Sequence, residues 1–362
     1  MQSWRCLRPL RRTCRVVFAG PHFQAGLEST RRLLESRNAG GDGDGDGGGV
    51  ELIHAPTDED LMMAAPTADV ALPFMQHFDK DFISSAPHLR LIQQFGVGLE
   101  RVDVEEATRN GIAVSNVPAI GSGNAEATSE HALFLAMSLL RRAFHDLPRR
   151  FEDGELGGLP LPRTLRGKHV TVVGYGAVGS TLCHYLVTLG AHVTAVRRRE
   201  WCPIRDEEVK VKMLPCIKES LPTTDIVILA CTATPETWHL LNDDTIALLK
   251  PGALVVNVAR GPLVEYNAIL EAVKTGAVGG FASDVGVGHP SKPSEPWDPH
   301  DELSRHPNTI FTPHVGGYCD ISYGEHGKIT EAVVNSIECA IRGKPPPNWV
   351  NRPKSDQITE NT

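Results

Sequence analysis

His169-Val170-Thr171-Val172-Val173, running into Gly174-Tyr175-Gly176-Ala177-Val178-Gly179, is the stretch from which the fold can be read. The apolar run has the length of a buried parallel strand, and Ala177 to Leu189 carries Val178, Leu182, Leu186 and Leu189 at helical spacing. Gly190 stops that helix, and Ala191 to Val196 reads as a second strand, so the segment is a βαβ unit. Each glycine then has a physical task. Gly174 makes the tight turn, Gly176 lets a pyrophosphate approach the backbone, and Gly179 lets helix and strand pack closely. A GxGxxG alone is weak, because glycine-rich turns are common. The flanking strands and helix make it a dinucleotide site, with Gly174, Gly176, Ala177, Val178 and Gly179 against phosphates drawn to the positive helix end.

The residue that ends the second strand of such a unit faces the adenosine ribose, where an acid selects NAD. Here the positions hold Arg197-Arg198-Arg199, with no carboxylate before Glu200. Guanidinium groups welcome a 2′-phosphate, which favours NADP over NAD. The alternative is a solvated basic loop with Glu200 supplying the acid of an NAD site.

Further strands are expected at Asp225 to Ala230, Ala253 to Val258, Gly280 to Val285 and Thr309 to Thr312. In an open α/β sheet the reactive groups gather where the strands end, which singles out Cys231, Thr232, Arg260, Asp284 and His314. Hydride transfer to a carbonyl needs a proton donor that titrates near neutrality and a fixed cation for an anionic substrate. His314 and Arg260 suit those tasks.

Ahead of the glycine turn, strand-like and helix-like segments alternate from Arg15, and Leu91 to Phe95 leads into Gly96-Val97-Gly98. Gly40 to Gly49 is a low-complexity insert of Gly and Asp, read as a floppy loop. Asn124 to Arg142 is a long helix whose apolar-spaced positions include Ala127, His131, Leu135 and Leu140; a hinge between domains is expected there. Tyr323 to Ile341 is a terminal helix with Ile329, Val333, Ile337 and Ala340 on one side, which has no core of its own and should pack back on the first domain. The expected division is a basic extension over 1–14, disordered or targeting; a discontinuous substrate domain over 15–140 and 318–350; a nucleotide domain over 141–317; and a tail over 351–362.

Composition narrows the classes further. Apolar residues at 41% and charged residues at 22% are those of a globular chain, and a formal charge of −8 gives no basic face for nucleic acid or anionic lipid. No stretch is long and apolar enough to span a bilayer, so no membrane partner is expected. The eight cysteines are scattered without metal-ligand spacing, and they read as reduced thiols with no metal site. A cytoplasmic location follows, with mitochondrion or plastid as the alternative from Arg5, Arg8, Arg11, Arg12 and Arg15.

These residues resemble the D-isomer-specific 2-hydroxyacid dehydrogenase family, and several separate motifs across most of the chain agree. Gly174 to Ser180 is similar to its nucleotide turn, Val256 to Ile269 to its arginine motif, Phe281 to Gly286 to the strand before its acid, and Phe311 to Gly317 to its histidine motif. The resemblance implies an α/β fold of two Rossmann-like domains, a flavodoxin-like substrate domain and a Rossmann dinucleotide domain, with a cleft between them. It implies NAD(P)-dependent interconversion of a small 2-keto acid and its D-2-hydroxy acid, glyoxylate or hydroxypyruvate first among them, in a homodimer. Arg260 would bind the substrate carboxylate and ketone oxygen, His314 would exchange the proton, and the amides of Val97 and Gly98 would meet the carboxylate. Asp284 would lie near the nicotinamide carboxamide, with Cys231, Thr232 and Ala259 lining the cofactor.

The chain departs from the family at the glutamate that partners the histidine. His289-Pro290 stands at its usual place, and Glu295-Pro296 follows after an insertion, so Glu295 is assigned as the partner of His314. The displaced acid also supports a rival function, a nicotinamide-sensing protein similar to the family's corepressors, with weak turnover or none.

Overall fold

The computed structural model describes residues 4–10, 12–21, 23–39, 49–74, 76–157, 161–198, 211–287, 298–324 and 326–352. The chain divides into two compact units, residues 1–123 with 319–362, and residues 124–318. In chain order the first stretch holds β1 (Cys14–Ala19), α1 (Gln24–Ala39), β2 (Val50–Ala55), α2 (Asp58–Ala64), β3 (Val70–Leu72), α3 (Lys80–Ser85), β4 (Leu91–Gln93), α4 (Val104–Arg109) and β5 (Ala113–Ser115). The second unit begins with α5 (Asn124–Arg141), α6 (Asp146–Glu152), β6 (His169–Val173), α7 (Ala177–Thr188), β7 (His192–Val196), β8 (Lys212–Leu214) and β9 (Ile226–Leu229). It continues through α8 (Asp243–Ile246), β10 (Ala253–Asn257), α9 (Tyr266–Thr275), β11 (Val278–Ser283), α10 (Glu302–Arg305) and β12 (Thr309–Phe311). The chain then returns to the first unit through α11 (Asp320–Tyr323) and α12 (Lys328–Arg342).

Among the described residues the first unit has a five-stranded parallel sheet in the order β2-β1-β3-β4-β5, the flavodoxin-like arrangement. Alternate residues of β1 enter opposite layers, as a strand's two-residue period requires. Val16 and Phe18 pack in the layer that includes Ile329, Val333, Ile337 and Ala340 of α12; Val17 and Ala19 pack with Leu61, Phe82 and Ala107. The terminal helix therefore completes a core that residues 1–123 alone leave open on one side. Aromatic rings fill this layer beyond β1. Phe23 stacks on Phe74 at 4.2 Å, with Phe95 and Tyr323 edge-on to Phe23.

Residues 4–10 are not a disordered extension. Trp4 and Cys6 are buried, and Trp4 meets the ring of Trp349 edge to face at 4.8 Å. Arg5 donates its amide to the Gly111 carbonyl and its guanidinium to the carbonyls of Pro87 and Leu89. Arg12 forks onto the buried Asp69 carboxylate at 2.8 and 2.9 Å, so part of the basic N-terminus neutralises an acid of the first unit. Within the expected tail, Asn351 holds the Val114 amide and the Ile112 carbonyl. The Gly/Asp-rich insert over 40–48 lies outside the described residues.

The second unit's sheet is parallel throughout, in the order β12-β11-β10-β9-β6-β7-β8 among the described residues. The order reverses between β6 and β9, which makes their C-terminal ends the topological switch point. Helix α5 belongs to this unit, so the boundary falls between Gly123 and Asn124 rather than after residue 140. The reason is the helix face that is buried: Ala125, Ser129, Ala132 and Ala136 are small enough for close packing, and Ser129 donates to the Val178 carbonyl of α7 at 2.9 Å. At the far end of α7, Leu189 stands exposed as the C-cap residue rather than joining Leu182 and Leu186 in the core.

Candidate active site

The glycine turn sits at the switch point. Gly174 has φ +101° and donates its amide to the Val196 carbonyl of β7 at 2.9 Å. A Cβ there would lie 2.7 Å from the backbone of Ala230 and Cys231, so only glycine lets β6 end against β9. A Cβ on Gly179 would strike the Gly174 carbonyl, which is the close approach of helix to turn that the third glycine permits. Gly176 differs: a Cβ there would meet nothing within 4 Å, and as N-cap of α7 it offers no side chain to the helix's first amides. Open space above Gly176 and uncapped amides at Ala177 and Val178 fit a dinucleotide pyrophosphate.

Around this turn, Cys231 and Thr232 follow β9. Burial pushes the Cys231 thiol up to about 11, so it stays protonated and unreactive at neutral pH. Thr237 donates to the Thr232 carbonyl at 2.9 Å and fixes the loop. After β7, the Arg197 amide bonds the Leu214 carbonyl, and Arg198 pairs with Glu236 at 3.6 Å on the exposed surface. Arg199 and Glu200 lie outside the described residues.

Arg260, Asp284 and His314 come together through register. Asn257 of β10, Ser283 of β11 and Phe311 of β12 are level with one another, so the residues that follow emerge at one sheet edge. The strands that lead to Arg260 and His314, β10 and β12, lie two strand spacings apart, about 10 Å, with β11 between them. Asn257 is wholly buried and clamps the arginine turn, donating to the Arg260 carbonyl and accepting from the Ala259 amide, each at 3.0 Å. A Cβ on Gly261 would strike the Gly286 carbonyl, so the turns after β10 and β11 are in direct contact.

Asp284, expected near the nicotinamide carboxamide, has its carboxylate engaged by neighbouring groups of its own unit. It is 2% exposed and accepts from the Thr312 hydroxyl at 2.6 Å, the Val315 amide at 2.9 Å and the Gly316 amide at 2.8 Å. His131 of α5 lies 3.3 Å from the same carboxylate and 2.9 Å from Thr312 Oγ1. Burial alone would push the Asp284 carboxyl up, but hydrogen bonds from His131 and Thr312, the His131 charge and the Val315 amide outweigh it and hold it below its ordinary value. These bonds shape the turn that carries His314, whose φ of +56° is a left-handed conformation costing about 1–2 kcal/mol for a residue with a Cβ.

In the first unit, Val97 is exposed in the turn after β4. Val117 donates its amide to the Gly96 carbonyl, and Asn116 donates its side chain to the Val97 carbonyl at 3.0 Å. Glu295 and His289 lie outside the described residues, and among those described no cluster of metal ligands occurs. His131 and Asn257 were missed from the sequence. His131 falls among the apolar-spaced positions of a helix, and Asn257 is hidden inside a strand pattern.

A family model for the D-isomer specific 2-hydroxyacid dehydrogenase NAD-binding domain matches residues 133–316. The chain belongs to that family. A curated relative, the glyoxylate reductase of Thermococcus gammatolerans, is 30% identical over 284 residues, which cover 76% of this chain and 80% of that protein. The crystal structure of the TT0316 protein from Thermus thermophilus is 26% identical and superposes with a TM-score of 0.76 over 93% of this chain and 99% of that one. The apo-structure of Escherichia coli D-lactate dehydrogenase shares the fold at a TM-score of 0.76 and 22% identity, with coverage of 93% and 99%. As a 2-hydroxyacid dehydrogenase the chain is an NAD(P)-dependent oxidoreductase that interconverts 2-keto and 2-hydroxy acids. The glycine turn, Arg260, Asp284 and His314 all fall within the matched segment; Val97 and Gly98 lie before it.

Proposed function

We propose that the chain reduces a small 2-keto acid, glyoxylate or hydroxypyruvate, to the D-2-hydroxy acid, with NADPH preferred to NADH. The observation that supports the reading is that β10 and β12, the strands followed by Arg260 and His314, end level in one sheet that also carries a glycine turn open to a dinucleotide. When bound, the reduced nicotinamide supplies a hydride to the carbonyl carbon. Arg260 holds the substrate carboxylate by charge-assisted bonds and polarises the ketone oxygen. The Val97 and Gly98 amides are assigned to the same carboxylate. His314 gives its proton to the carbonyl oxygen as negative charge develops there, and recovers it in the oxidation direction. Glu295 is assigned to hold the His314 imidazole, and Arg197 to meet the 2′-phosphate of the cofactor.

The test is oxidation of NADPH and of NADH with a panel of 2-keto acids. Turnover of the shortest acids, a lower KM for NADPH, and loss of that preference in Arg197→Ala support the reading. Cofactor binding without turnover of any acid would instead identify a sensor. We also propose a homodimer. Phe134, Phe144, Leu147 and Phe151 are exposed on the second unit at 47%, 58%, 45% and 88%, an apolar surface that a second copy would cover. Light scattering should give twice the chain mass, and a monomer at micromolar concentration would refute it.

A further inference from the structure

We propose that His131 is a positioning residue for the reaction, acting through Thr312 and Asp284 to set the turn from which His314 works. The inference rests on the reading of His314 as proton donor and adds a residue, on a different element, that never meets the substrate. The hydrogens in the network can be assigned from chemistry. Asp284 Oδ1 is a carboxylate oxygen and only accepts, so the Thr312 hydroxyl, 2.6 Å away, donates its one hydrogen there. The lone pairs of Thr312 Oγ1 then face His131 Nε2 at 2.9 Å, and that nitrogen must carry a hydrogen. The same N–H leans toward Asp284 Oδ1 at 3.3 Å. His131 is thus a donor at the base of a chain that runs through Thr312 to Asp284 and from there to the Val315 and Gly316 amides, the residues just after His314.

The geometry gives this chain a task. His314 is held in a left-handed backbone conformation that a histidine rarely adopts, with its own amide on the Thr312 carbonyl at 3.0 Å. The turn presses onto the pair below it: a Cβ on Gly316 would lie 2.8 Å from Asp284 Oδ2 and 3.3 Å from His131 Cδ2. The His131 side chain is 15% exposed and that of Asp284 is 4%, so little water can replace a lost donor. Without His131 the Thr312 oxygen and the Asp284 carboxylate each lose a donor, and the turn they hold relaxes.

The experiment compares His131→Ala, His131→Gln and Thr312→Val with wild type. The glutamine amide nitrogen falls near the place of Nε2 and can donate to Thr312, and valine keeps the shape of threonine while removing the link. Steady-state kinetics are measured beside cofactor binding by fluorescence. His131→Ala and Thr312→Val are expected to lower kcat about 10- to 100-fold, with keto-acid KM and cofactor Kd unchanged, and His131→Gln to restore most of the loss. Wild-type kcat in both His131→Ala and Thr312→Val would overturn the proposal, as would a fall in kcat matched by an equal weakening of cofactor binding. Should His131→Ala fail to fold, Thr312→Val and His131→Gln decide alone. An active His314→Gln enzyme would instead overturn the proton-donor reading, while an inactive one beside fully active His131 variants overturns only this inference.

Discussion

At the scale of single residues, the site is held by groups that do no chemistry. Asn257→Ala removes partners from the Arg260 carbonyl and the Ala259 amide at a wholly buried position. It is expected to cost about 1–3 kcal/mol in urea unfolding and to raise the keto-acid KM by loosening the arginine turn. An unchanged midpoint would show that water replaces both bonds. Gly179→Ala drives a Cβ into the Gly174 carbonyl, so cofactor binding should be lost in fluorescence titration even where the fold survives. Arg260 and His314, to which the proposal assigns the chemistry, stand out in the sequence because each follows a strand pattern and sits in a recognisable motif. Their supports were not, because a buried asparagine and a helix-face histidine leave no periodic signal.

At the scale of elements, legibility followed how local the signal was. The strand β6 agrees with the sequence reading end to end, since an apolar run bounded by turn residues needs no tertiary information. Helices α2 and α3 were passed over although their caps are in the sequence. Thr57 and Asp60 form a reciprocal capping box, and the Asp79 side chain accepts from the Asp81 and Phe82 amides. The helix expected over Tyr323 to Ile341 is α11 and α12, with Gly324 and Gly327 in the break, where a Cβ on Gly327 would crowd the Tyr323 backbone. The close approach of α5 to α7 leaves little apolar signature, because Ser129 and the small residues near it make it, whereas Leu135 and Leu140, which do stand out in the sequence, lie in the second unit's core.

At the scale of the molecule, sequence-distant segments close the first unit, and stability should report it. Trp4→Ala removes a buried indole that packs on Trp349, and it is expected to cost about 3–5 kcal/mol, read as a fall in the thermal midpoint. A midpoint equal to wild type would mean that residues 4–10 do not dock in solution. Acid should act on the second unit through Asp284. Its carboxyl is held below the ordinary value in the fold, so it contributes stability in full above an ordinary carboxyl pKa of about 4 and loses it as pH falls through the lower folded value. Asp284→Asn should flatten that part of the pH-stability curve, and an unaltered curve would assign the acid sensitivity elsewhere. No helix among the described residues is long and apolar enough to cross a membrane.

The central claim is that His314 passes a proton to a keto acid while the glycine turn holds the nicotinamide cofactor. The most direct measurement is NADPH oxidation by glyoxylate in wild type and His314→Gln, with cofactor affinity titrated on the same samples. Turnover is expected to fall at least about 100-fold with affinity unchanged, whereas a glutamine variant that turns over at the wild-type rate would contradict the claim.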